Sequence, residues 1–381
     1  MMNENRILIF DTAKRVVVKV GSNVLTQDQG LNLNVMGSIS RQICGLIDSG
    51  IEIILVSSGA MASGIKKIGL DKRPEEIPKR QAVAAVGQAG LIMEYEKAFA
   101  RYHKKVAQIL LTSEDLNNRR RYLNARNTLY MLLSWQVVPI INENDTVMVE
   151  EIQFGDNDNL AAMITLLMDA DILVNLTDID GLYTKNPRTN PDADFIPVVS
   201  IIGEDIKKAA EDIPGSLGTG GMLSKINAAK KVTGAGIPMV IANGGTPDIL
   251  KKLFSGKAVG TFFAPKEKKL KSRKCWIAFT LKPKGVIRID DGAAVAIVNR
   301  GKSLLPSGIV AVEGEFGVGA PVQFKKTDDE ILGIGLVNYS AGDIRKIMGL
   351  RSNQIQRRLG HKPFDDVIHR DNLVVTAECC L

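Results

Sequence analysis

The strongest constraint on the fold of this chain is a repeated alternation of short apolar runs with longer helical stretches, up to about residue 264. Most of the runs are continuously apolar and rich in Val, Ile and Leu, as expected for parallel strands that are covered on both faces. Such alternation implies right-handed crossovers with helices on both sides of one sheet, which is an α/β fold. The predicted strands are 16–20, 51–56, 106–111, 137–141, 172–176, 238–242 and 259–263, and the predicted helices include 81–104, 117–135, 159–168 and 223–233.

Beyond about residue 282 the sequence changes to short strands separated by turn-rich segments. Strands are predicted at 286–289, 309–312, 322–324 and 331–337, and helices at 292–299 and 341–348. This pattern is typical of a small, mainly β, barrel-like domain of about 75 residues. We therefore predict an α/β catalytic domain at 1–265, a basic linker at 266–282, the small β domain at 283–360 and a C-terminal tail at 361–381.

Composition excludes several classes of protein. No apolar run approaches the roughly 18 to 20 residues of a membrane-spanning helix. The apolar run near the N-terminus is too short for a signal peptide, so we expect a cytoplasmic protein with no membrane partner. The 4 cysteines and 3 histidines show no metal-ligand spacing, so no protein metal site is predicted. The net charge of +7 is concentrated at 266–274, and a charge run of this kind is usually a solvated connector.

A lysine interrupts the first apolar run. Lys19 lies within 16–20 and is followed directly by Gly21. A lysine at the end of a buried strand is costly unless an anion compensates its charge, and the glycine would let backbone N–H groups converge on that anion. The pattern indicates an anion site at the end of the first strand. The alternative is an edge-strand lysine that reaches solvent.

Small and polar residues follow two other predicted strands. Ser57-Ser58-Gly59-Ala60 comes after 51–56, where it either allows close approach by a substrate or forms a tight turn. Two clusters of acids and amides, 142–145 and 155–159, come after 137–141. Such clusters often form turns and helix caps, but here they abut strand and helix ends on the ligand side of an α/β sheet. Their chemistry suits recognition of an ammonium group or orientation of cationic catalytic groups.

A glycine cluster, 218–221, precedes a predicted helix that carries Lys225. It suggests a phosphate cradle, although it lacks the Walker spacing, and a flexible surface loop is the alternative. Lys19 and Lys225 could flank a transferring phosphoryl group, because that reaction depends on positioning and on neutralising charge on the moving oxygens. No Ser/His/Asp or Cys/His set argues for a covalent nucleophile. These residues together predict phosphoryl transfer.

In this order and spacing the motifs resemble the amino acid kinase family, and within it the glutamate 5-kinase branch. The resemblance covers nearly the whole chain, the pair of acid–amide clusters is its most specific part, and the region after 283 resembles a PUA domain. The landmarks are Val18-Lys19-Val20-Gly21-Ser22, Ser57-Ser58-Gly59-Ala60, Leu123-Asn124-Ala125-Arg126-Asn127-Thr128, Ile141-Asn142-Glu143-Asn144-Asp145, Phe154-Gly155-Asp156-Asn157-Asp158-Asn159-Leu160, Leu176-Thr177-Asp178, and Gly218-Thr219-Gly220-Gly221-Met222 with Lys225.

The resemblance implies a three-layer αβα sandwich around a mostly parallel sheet of about eight strands. It implies ATP-dependent phosphorylation of the side-chain carboxylate of L-glutamate to L-glutamyl 5-phosphate, the first step of proline biosynthesis. Mg²⁺ would accompany ATP, and proline would act as an inhibitor. We also expect a homo-oligomer, either a dimer or a tetramer, and consider a functional association with glutamate 5-phosphate reductase.

The resemblance also implies roles for individual residues. Lys19 and Lys225 would lie on opposite sides of the transferred group, and Asp158 would hold both lysines in register. No protein ligand is assigned to Mg²⁺. The substrate-binding residues would be Ser58, Asn142, Asp145, Asp156 and Asn157. The nucleotide-binding residues would be Lys19, Thr177, Asp178, Thr219, Gly220, Gly221, Met222, Leu223, Ser224 and Lys225.

Two alternatives stay open. A sister kinase acting on aspartate, acetylglutamate, carbamate or UMP would share the fold, but the two acid–amide clusters and the C-terminal domain argue against it. RNA binding through the PUA-like domain is the other. Only Phe316, Phe324 and Tyr339 supply aromatic rings within that domain, and stacking platforms for single strands usually need more. Nucleic acid is therefore not expected as the main partner.

Overall fold

Two compact units make up the chain, Met1–Lys268 and Lys269–Leu381. The computed structural model describes residues 2–27, 30–147, 157–211, 221–267, 269–270 and 272–376. Each unit has its own cluster of buried apolar side chains. Within the described ranges, no helix combines the length and the apolar character that crossing a membrane requires.

The first unit is built on an eight-stranded sheet. Its strands, together with those of two small antiparallel ladders, are β1 (Arg15–Val20), β2 (Thr26–Gln27), β3 (Gly30–Leu31), β4 (Glu52–Ser57), β5 (Lys105–Leu111), β6 (Val137–Glu143), β7 (Ile172–Thr177), β8 (Leu182–Tyr183), β9 (Phe195–Ile196), β10 (Val198–Val199), β11 (Met239–Asn243) and β12 (Thr261–Phe263). The sheet order is β10-β12-β11-β7-β1-β4-β6-β5. The pair β11 and β12 is antiparallel, and the other neighbours are parallel.

The strand prediction is confirmed for all seven runs, which form β1, β4, β5, β6, β7, β11 and β12. The eighth strand of the sheet, β10, was not predicted from the sequence. It contains only two residues, and two residues show no hydrophobic period. Its place at the edge of the sheet is set by pairing with β12.

Helices cover both faces of the sheet, so the predicted three-layer αβα architecture is confirmed. The helices of this unit are α1 (Met2–Thr12), α2 (Ser22–Leu25), α3 (Leu33–Asp48), α4 (Ala60–Ile68), α5 (Ile77–Ala100), α6 (Ser113–Asn117), α7 (Arg119–Ser134), α8 (Asn157–Leu167), α9 (Glu204–Glu211), α10 (Met222–Gly234) and α11 (Ile249–Phe254). On one face, Val16, Val18 and Val20 of β1 pack in one buried cluster with side chains of α3, α5 and α11. Because strand side chains alternate, Lys19 points to the opposite face, where α8 contacts β1, β4, β6 and β7.

The crossing of α4 and α5 brings two helix backbones into direct contact. A Cβ atom at Gly64 would lie 1.9 Å from the carbonyl oxygen of Val83, and one at Gly87 would lie 1.7 Å from that of Ala60. Only glycine fits at either position. Since α4 begins directly after Ser57-Ser58-Gly59, with Gly59 at a φ of +104°, this crossing fixes the small-residue turn at the end of β4.

We expect Gly87→Ala to lower the free energy of unfolding by about 2 kcal/mol or more, because the added methyl group overlaps a backbone oxygen that cannot move alone. Gly45→Ala is the matched control: Gly45 lies in α3, and a Cβ there has nothing within 4 Å. That substitution should stabilise by about 0.5–1 kcal/mol through helix propensity. Urea unfolding of both variants measures the difference, and equal effects would contradict the tight crossing.

The second unit has a five-stranded sheet, and its described residues include four short α-helices. The helices are α12 (Ser272–Phe279), α13 (Asp291–Val298), α14 (Ala341–Ile347) and α15 (Ile355–Leu359), and the strands are β13 (Val286–Ile289), β14 (Ile309–Glu313), β15 (Pro321–Lys326), β16 (Ile331–Leu336) and β17 (Leu373–Val375). The sheet order is β14-β13-β15-β16-β17. The four predicted strands and both predicted helices are present, and the mainly β character is confirmed.

Two elements of this unit lie in segments interpreted from sequence as a linker and a tail. Helix α12 falls within 266–282, and its residues Trp276 and Ile277 are buried. Strand β17 falls within 361–381 and pairs with β16. The charge run in front of α12 favoured a solvated connector over a short, partly buried helix, and a three-residue strand is too short to show alternation.

Candidate active site

Lys19 is positioned by the register of three parallel strands. It lies beside Val56 of β4 and Asn175 of β7, one residue before the end of β1. Adjacent residues in register point to the same face of a sheet, so Lys19 and Asn175 both face α8. Lys19 is only 4% exposed, and the edge-strand alternative is therefore wrong.

Asp158 joins the cationic side chains in this site. It lies in the first turn of α8 and is 2% exposed. Its Oδ1 accepts hydrogen bonds from Lys19 Nζ at 2.5 Å and from Asn175 Nδ2 at 2.9 Å. Its Oδ2 accepts from Ser224 Oγ at 2.5 Å and from Lys225 Nζ at 3.1 Å. One carboxylate therefore connects β1, β7, α8 and α10.

The charge of Asp158 is set by competing effects. Burial raises the pKa of Asp158, because a low-polarity interior disfavours the ionised form. The charges of Lys19 and Lys225, with hydrogen bonds from Lys19 and Ser224, outweigh burial and hold that pKa well below its usual range. Asp158 is consequently a carboxylate at any pH at which the protein would function.

Lys225 reaches the carboxylate from the other side. It lies in the first turn of α10, which begins at Met222 after Gly221, and it is 6% exposed. Because α10 packs on α8, Lys225 approaches Asp158 Oδ2 while Lys19 approaches Oδ1. The structure thus brings together two lysines that are far apart in the chain. Met222 is buried, and Leu223 is half-buried beside it.

Amide side chains form a second cluster next to Asp158. Asn157 Nδ2 lies 2.8 Å from Ser58 Oγ and 3.1 Å from Asn142 Oδ1. Asn142 Nδ2 donates in turn to Gln88 Oε1 at 3.3 Å. Asn157 Oδ1 is buried and has no hydrogen-bond partner among the residues that the structure describes. This oxygen is an acceptor available to a ligand.

Gln88 is a site residue that the sequence analysis missed. It lies on α5, is buried, and donates to the carbonyl oxygen of Glu143 at 3.2 Å. A long polar side chain on the buried face of an apolar helix was the available signal. Gln88 holds the strand end that carries Asn142, which lies 54 residues further along the chain.

Asp145 lies in a 3-10 helix, Asp145–Val147, that contacts α5. Burial raises the pKa of Asp145 to about 6, against the opposing effects of a hydrogen bond from Gln88 and the charges of Arg73 and Arg80. Its carboxyl group therefore changes charge within the range of ordinary assays. The two arginines were not predicted from sequence, since they lie in the connection between α4 and α5 and at the start of α5.

Asp178 belongs to a separate cluster just after β7. Its Oδ2 accepts hydrogen bonds from Arg188 Nη2 at 2.6 Å and from Asn23 Nδ2 at 3.0 Å. Burial raises the pKa of Asp178, but these hydrogen bonds outweigh the effect of burial, and the pKa is lowered overall.

The ends of β1 and β7 are joined by a backbone hydrogen bond. The amide of Gly21 donates to the carbonyl oxygen of Leu176 at 2.9 Å, and Thr177 is buried at the end of β7.

Three predicted site residues, Asp156, Thr219 and Gly220, lie outside the described residues. Among the residues with a described position, no group of three or more His, Cys, Asp and Glu side chains could hold a metal ion. What the site does offer is two fixed ammonium groups and a cluster of amides. These groups can stabilise negative charge on moving oxygens. No activated nucleophile is found among the described residues of the site.

A family model described as the amino acid kinase family matches residues 14–243, a range that holds the whole Asp158 cluster. The chain belongs to the amino acid kinase family. A second model, the PUA domain, matches residues 285–359 of this amino acid kinase. The two matches fall in the two separate units of the fold.

Curated relatives cover almost the whole of this amino acid kinase. Glutamate 5-kinase from Syntrophus aciditrophicus (strain SB) is 52% identical over 98% of this chain and 97% of that protein. Glutamate 5-kinase from Geobacter sulfurreducens is 52% identical over 96% of this chain and 99% of that protein. A solved structure, carbamate kinase from Giardia lamblia bound to AMP-PNP, is similar over 67% of this chain and 100% of that chain, at 16% identity and a TM-score of 0.48.

The PUA unit contains a cleft of about 660 Å³. Its lining includes the basic side chains of Lys302 and Arg370 and the acidic side chains of Asp290 and Asp366. Nucleic-acid grooves are usually positive along the backbone path, so acidic groups in the lining are unfavourable there. RNA binding is therefore not the favoured function.

Proposed function

We propose that this amino acid kinase transfers the γ-phosphoryl group of ATP to the side-chain carboxylate of L-glutamate, the first step of proline biosynthesis. The observation that carries this proposal is the arrangement of Lys19 and Lys225 on the two oxygens of Asp158. Full-length relatives that are named glutamate 5-kinase support the choice of acceptor.

The reaction needs little covalent chemistry from the protein. An oxygen of the glutamate γ-carboxylate attacks the γ-phosphorus of ATP, a new O–P bond forms, and the bond to the bridging oxygen of ADP breaks. This carboxylate is already ionised at neutral pH, so no general base is required. Lys19 and Lys225 would stabilise negative charge on the moving oxygens, and Asp158 would hold both ammonium groups in place.

Glutamate would bind beside this cluster through the amide groups and Asp145. Asn157 Oδ1 is a buried acceptor that would accept a hydrogen bond from the substrate ammonium group, and Asp145 would supply the opposite charge. Ser58 and Asn142 hold Asn157 in place through its Nδ2 atom. We extend the glutamate site to Asp156 on the basis of sequence alone.

ATP would lie over the ends of β1 and β7 and the start of α10. We assign its contacts to the nucleotide-binding residues named from the sequence, including Lys19, Thr177, Asp178 and the segment 219–225. Mg²⁺ prefers oxygen ligands and commonly binds substrate phosphates, so we propose that it enters with ATP. No protein ligand is assigned to it.

The pKa of Asp145 gives this proposal a pH signature. We expect kcat/KM for glutamate to fall as the pH drops below about 6, because protonation of Asp145 removes the charge that attracts the substrate ammonium group. The measurement is kcat/KM for glutamate between about pH 5 and 8 at saturating ATP. Asp145→Asn should lower the plateau and abolish the fall near pH 6. If kcat/KM of the Asp145→Asn variant still fell below about pH 6 as in wild type, Asp145 would not have this role.

The acceptor is tested directly by a kinase assay with a panel of substrates. Purified protein is given ATP and Mg²⁺ with glutamate, aspartate, acetylglutamate, carbamate or UMP, and release of ADP is measured for every acceptor. The acyl phosphate formed from glutamate is also trapped as the hydroxamate. We expect the highest kcat/KM with glutamate. Faster turnover with any other acceptor would overturn the assignment and favour a sister kinase.

We further propose inhibition by proline, assembly as a dimer or tetramer, a cytoplasmic location and a functional association with glutamate 5-phosphate reductase. These proposals rest on the sequence resemblance. Repeating the hydroxamate assay with added proline tests the first, and light scattering on the purified protein tests the second.

A further inference from the structure

Asn175 is a polar residue in the middle layer of the protein that the roles above leave unassigned. It lies on β7 in register with Lys19 and is 0% exposed. Neighbouring residues of β7, such as Leu173, Val174 and Leu176, are buried and apolar. An amide at such a position is costly unless its hydrogen bonds are made.

The Asn175 amide is only half satisfied. Its Nδ2 donates to Asp158 Oδ1 at 2.9 Å, whereas its Oδ1 is buried without a partner in the part of the chain that the structure describes. An unpaired buried acceptor lowers stability. Packing alone would therefore favour an apolar side chain here, which suggests that the Nδ2 contact serves the site.

Asn175 completes a symmetrical set of donors around Asp158. Oδ1 receives the ammonium group of Lys19 and the neutral amide of Asn175, and Oδ2 receives the ammonium group of Lys225 and the hydroxyl of Ser224. If only lysines held the carboxylate, its plane could rotate about the bond to Cβ, because the long lysine side chains can move with it and keep their hydrogen bonds. A short amide fixed on a central strand prevents that rotation at Oδ1.

We propose that Asn175 is a positioning residue for phosphoryl transfer, one that fixes the plane of the Asp158 carboxylate and thereby the direction in which Lys19 and Lys225 present their ammonium groups. This inference rests on the proposed kinase function. It assigns Asn175 no contact with either substrate. The prediction is therefore a loss of kcat with little change in either KM.

The first test is Asn175→Leu, which keeps the branched shape but removes both polar atoms. We expect kcat to fall about ten-fold, the loss typical of one hydrogen bond to a charged group, with KM for ATP and glutamate within about two-fold of wild type. Because the unpaired Oδ1 is also removed, Tm should be unchanged or raised. An unchanged kcat, or a loss of activity that follows a loss of Tm, would overturn the inference.

The second test is Asn175→Asp, whose effect depends on pH. When ionised, the new carboxylate faces Asp158 Oδ1 and repels it, but when protonated it can donate a hydrogen bond in place of the amide. We expect kcat relative to wild type to recover as the pH is lowered from about 8 to 6. A ratio that does not change with pH would contradict positioning through Asp158.

Val174→Ala is the matched control for both variants. Val174 is the adjacent residue of β7 and packs in the cluster on the other face of the sheet, so this substitution should lower Tm and leave kcat unchanged. The assay with the panel of acceptors distinguishes failure of the proposed function from failure of the proposed role of Asn175. A wild-type protein that prefers another acceptor refutes glutamate as substrate, and the Asn175 variants are then measured with the preferred acceptor.

Discussion

Replacing Lys225 with methionine is expected to lower kcat about a hundred- to a thousand-fold, the loss typical of removing one preorganised charge contact from a transition state. Methionine keeps the length of the side chain and removes its charge. Lys225 is 6% exposed and bound to Asp158 Oδ2, so water cannot readily replace its ammonium group. KM for glutamate should change much less than kcat, because this lysine is proposed to act on the phosphoryl group.

Lys230→Met is the control for the Lys225 variant. Lys230 lies on the same helix, α10, is half-buried, and is not among the donors to Asp158. It should retain the wild-type kcat. Steady-state kinetics with both substrates varied distinguishes the outcomes. If Lys225→Met raised KM for ATP and left kcat unchanged, Lys225 would be a ground-state nucleotide contact and not a catalytic group.

The fold of the first unit could be predicted from sequence because most of its strands are continuous apolar runs. Strands such as β4 and β7 are apolar runs that are buried along almost their whole length, and Lys19 stands out because it breaks such a run in β1. Two strands that escaped prediction, Val198–Val199 in the first unit and Leu373–Val375 in the second, are too short to carry a period. Their pairing is decided by strands that are distant in sequence.

The candidate site could be predicted only in part, for a different physical reason. Lys19, Asp158 and Lys225 were named because each is chemically conspicuous in its own segment. Gln88 and Asn175 were missed, since a polar side chain among apolar neighbours does not reveal from the sequence which group it binds. Their partners are supplied by the tertiary fold, across 54 residues for Gln88 and 17 residues for Asn175.

Replacing Asp158 with asparagine should damage both stability and catalysis. The substitution leaves two buried ammonium groups next to a neutral side chain, and breaking a buried ion pair by removing one partner costs about 3–5 kcal/mol. Catalysis should fall as well, because the lysines lose the group that holds them. Thermal unfolding and kcat are measured on the same preparation, so that a folded but inactive protein is recognised.

The pH dependence of unfolding provides an independent measure of the same interaction. The pKa of Asp158 is lowered in the folded protein, so its contribution to stability is present above the unfolded pKa of about 3.9 and is lost as the pH falls from there through the folded pKa. Wild type should therefore lose stability more steeply below about pH 4 than Asp158→Asn does. Parallel curves would show that Asp158 carries no net electrostatic stabilisation.

A double variant separates loss of charge balance from loss of shape. In Asp158→Asn combined with Lys225→Met, one uncompensated ammonium group is removed together with the carboxylate. We expect the double variant to be more stable than Asp158→Asn alone, with a coupling free energy of at least about 1 kcal/mol. Simple additivity of the two single effects would mean that the contact between Asp158 and Lys225 carries no net interaction free energy. Lys19 alone would then be the ammonium group whose contact with the buried carboxylate stabilises the fold.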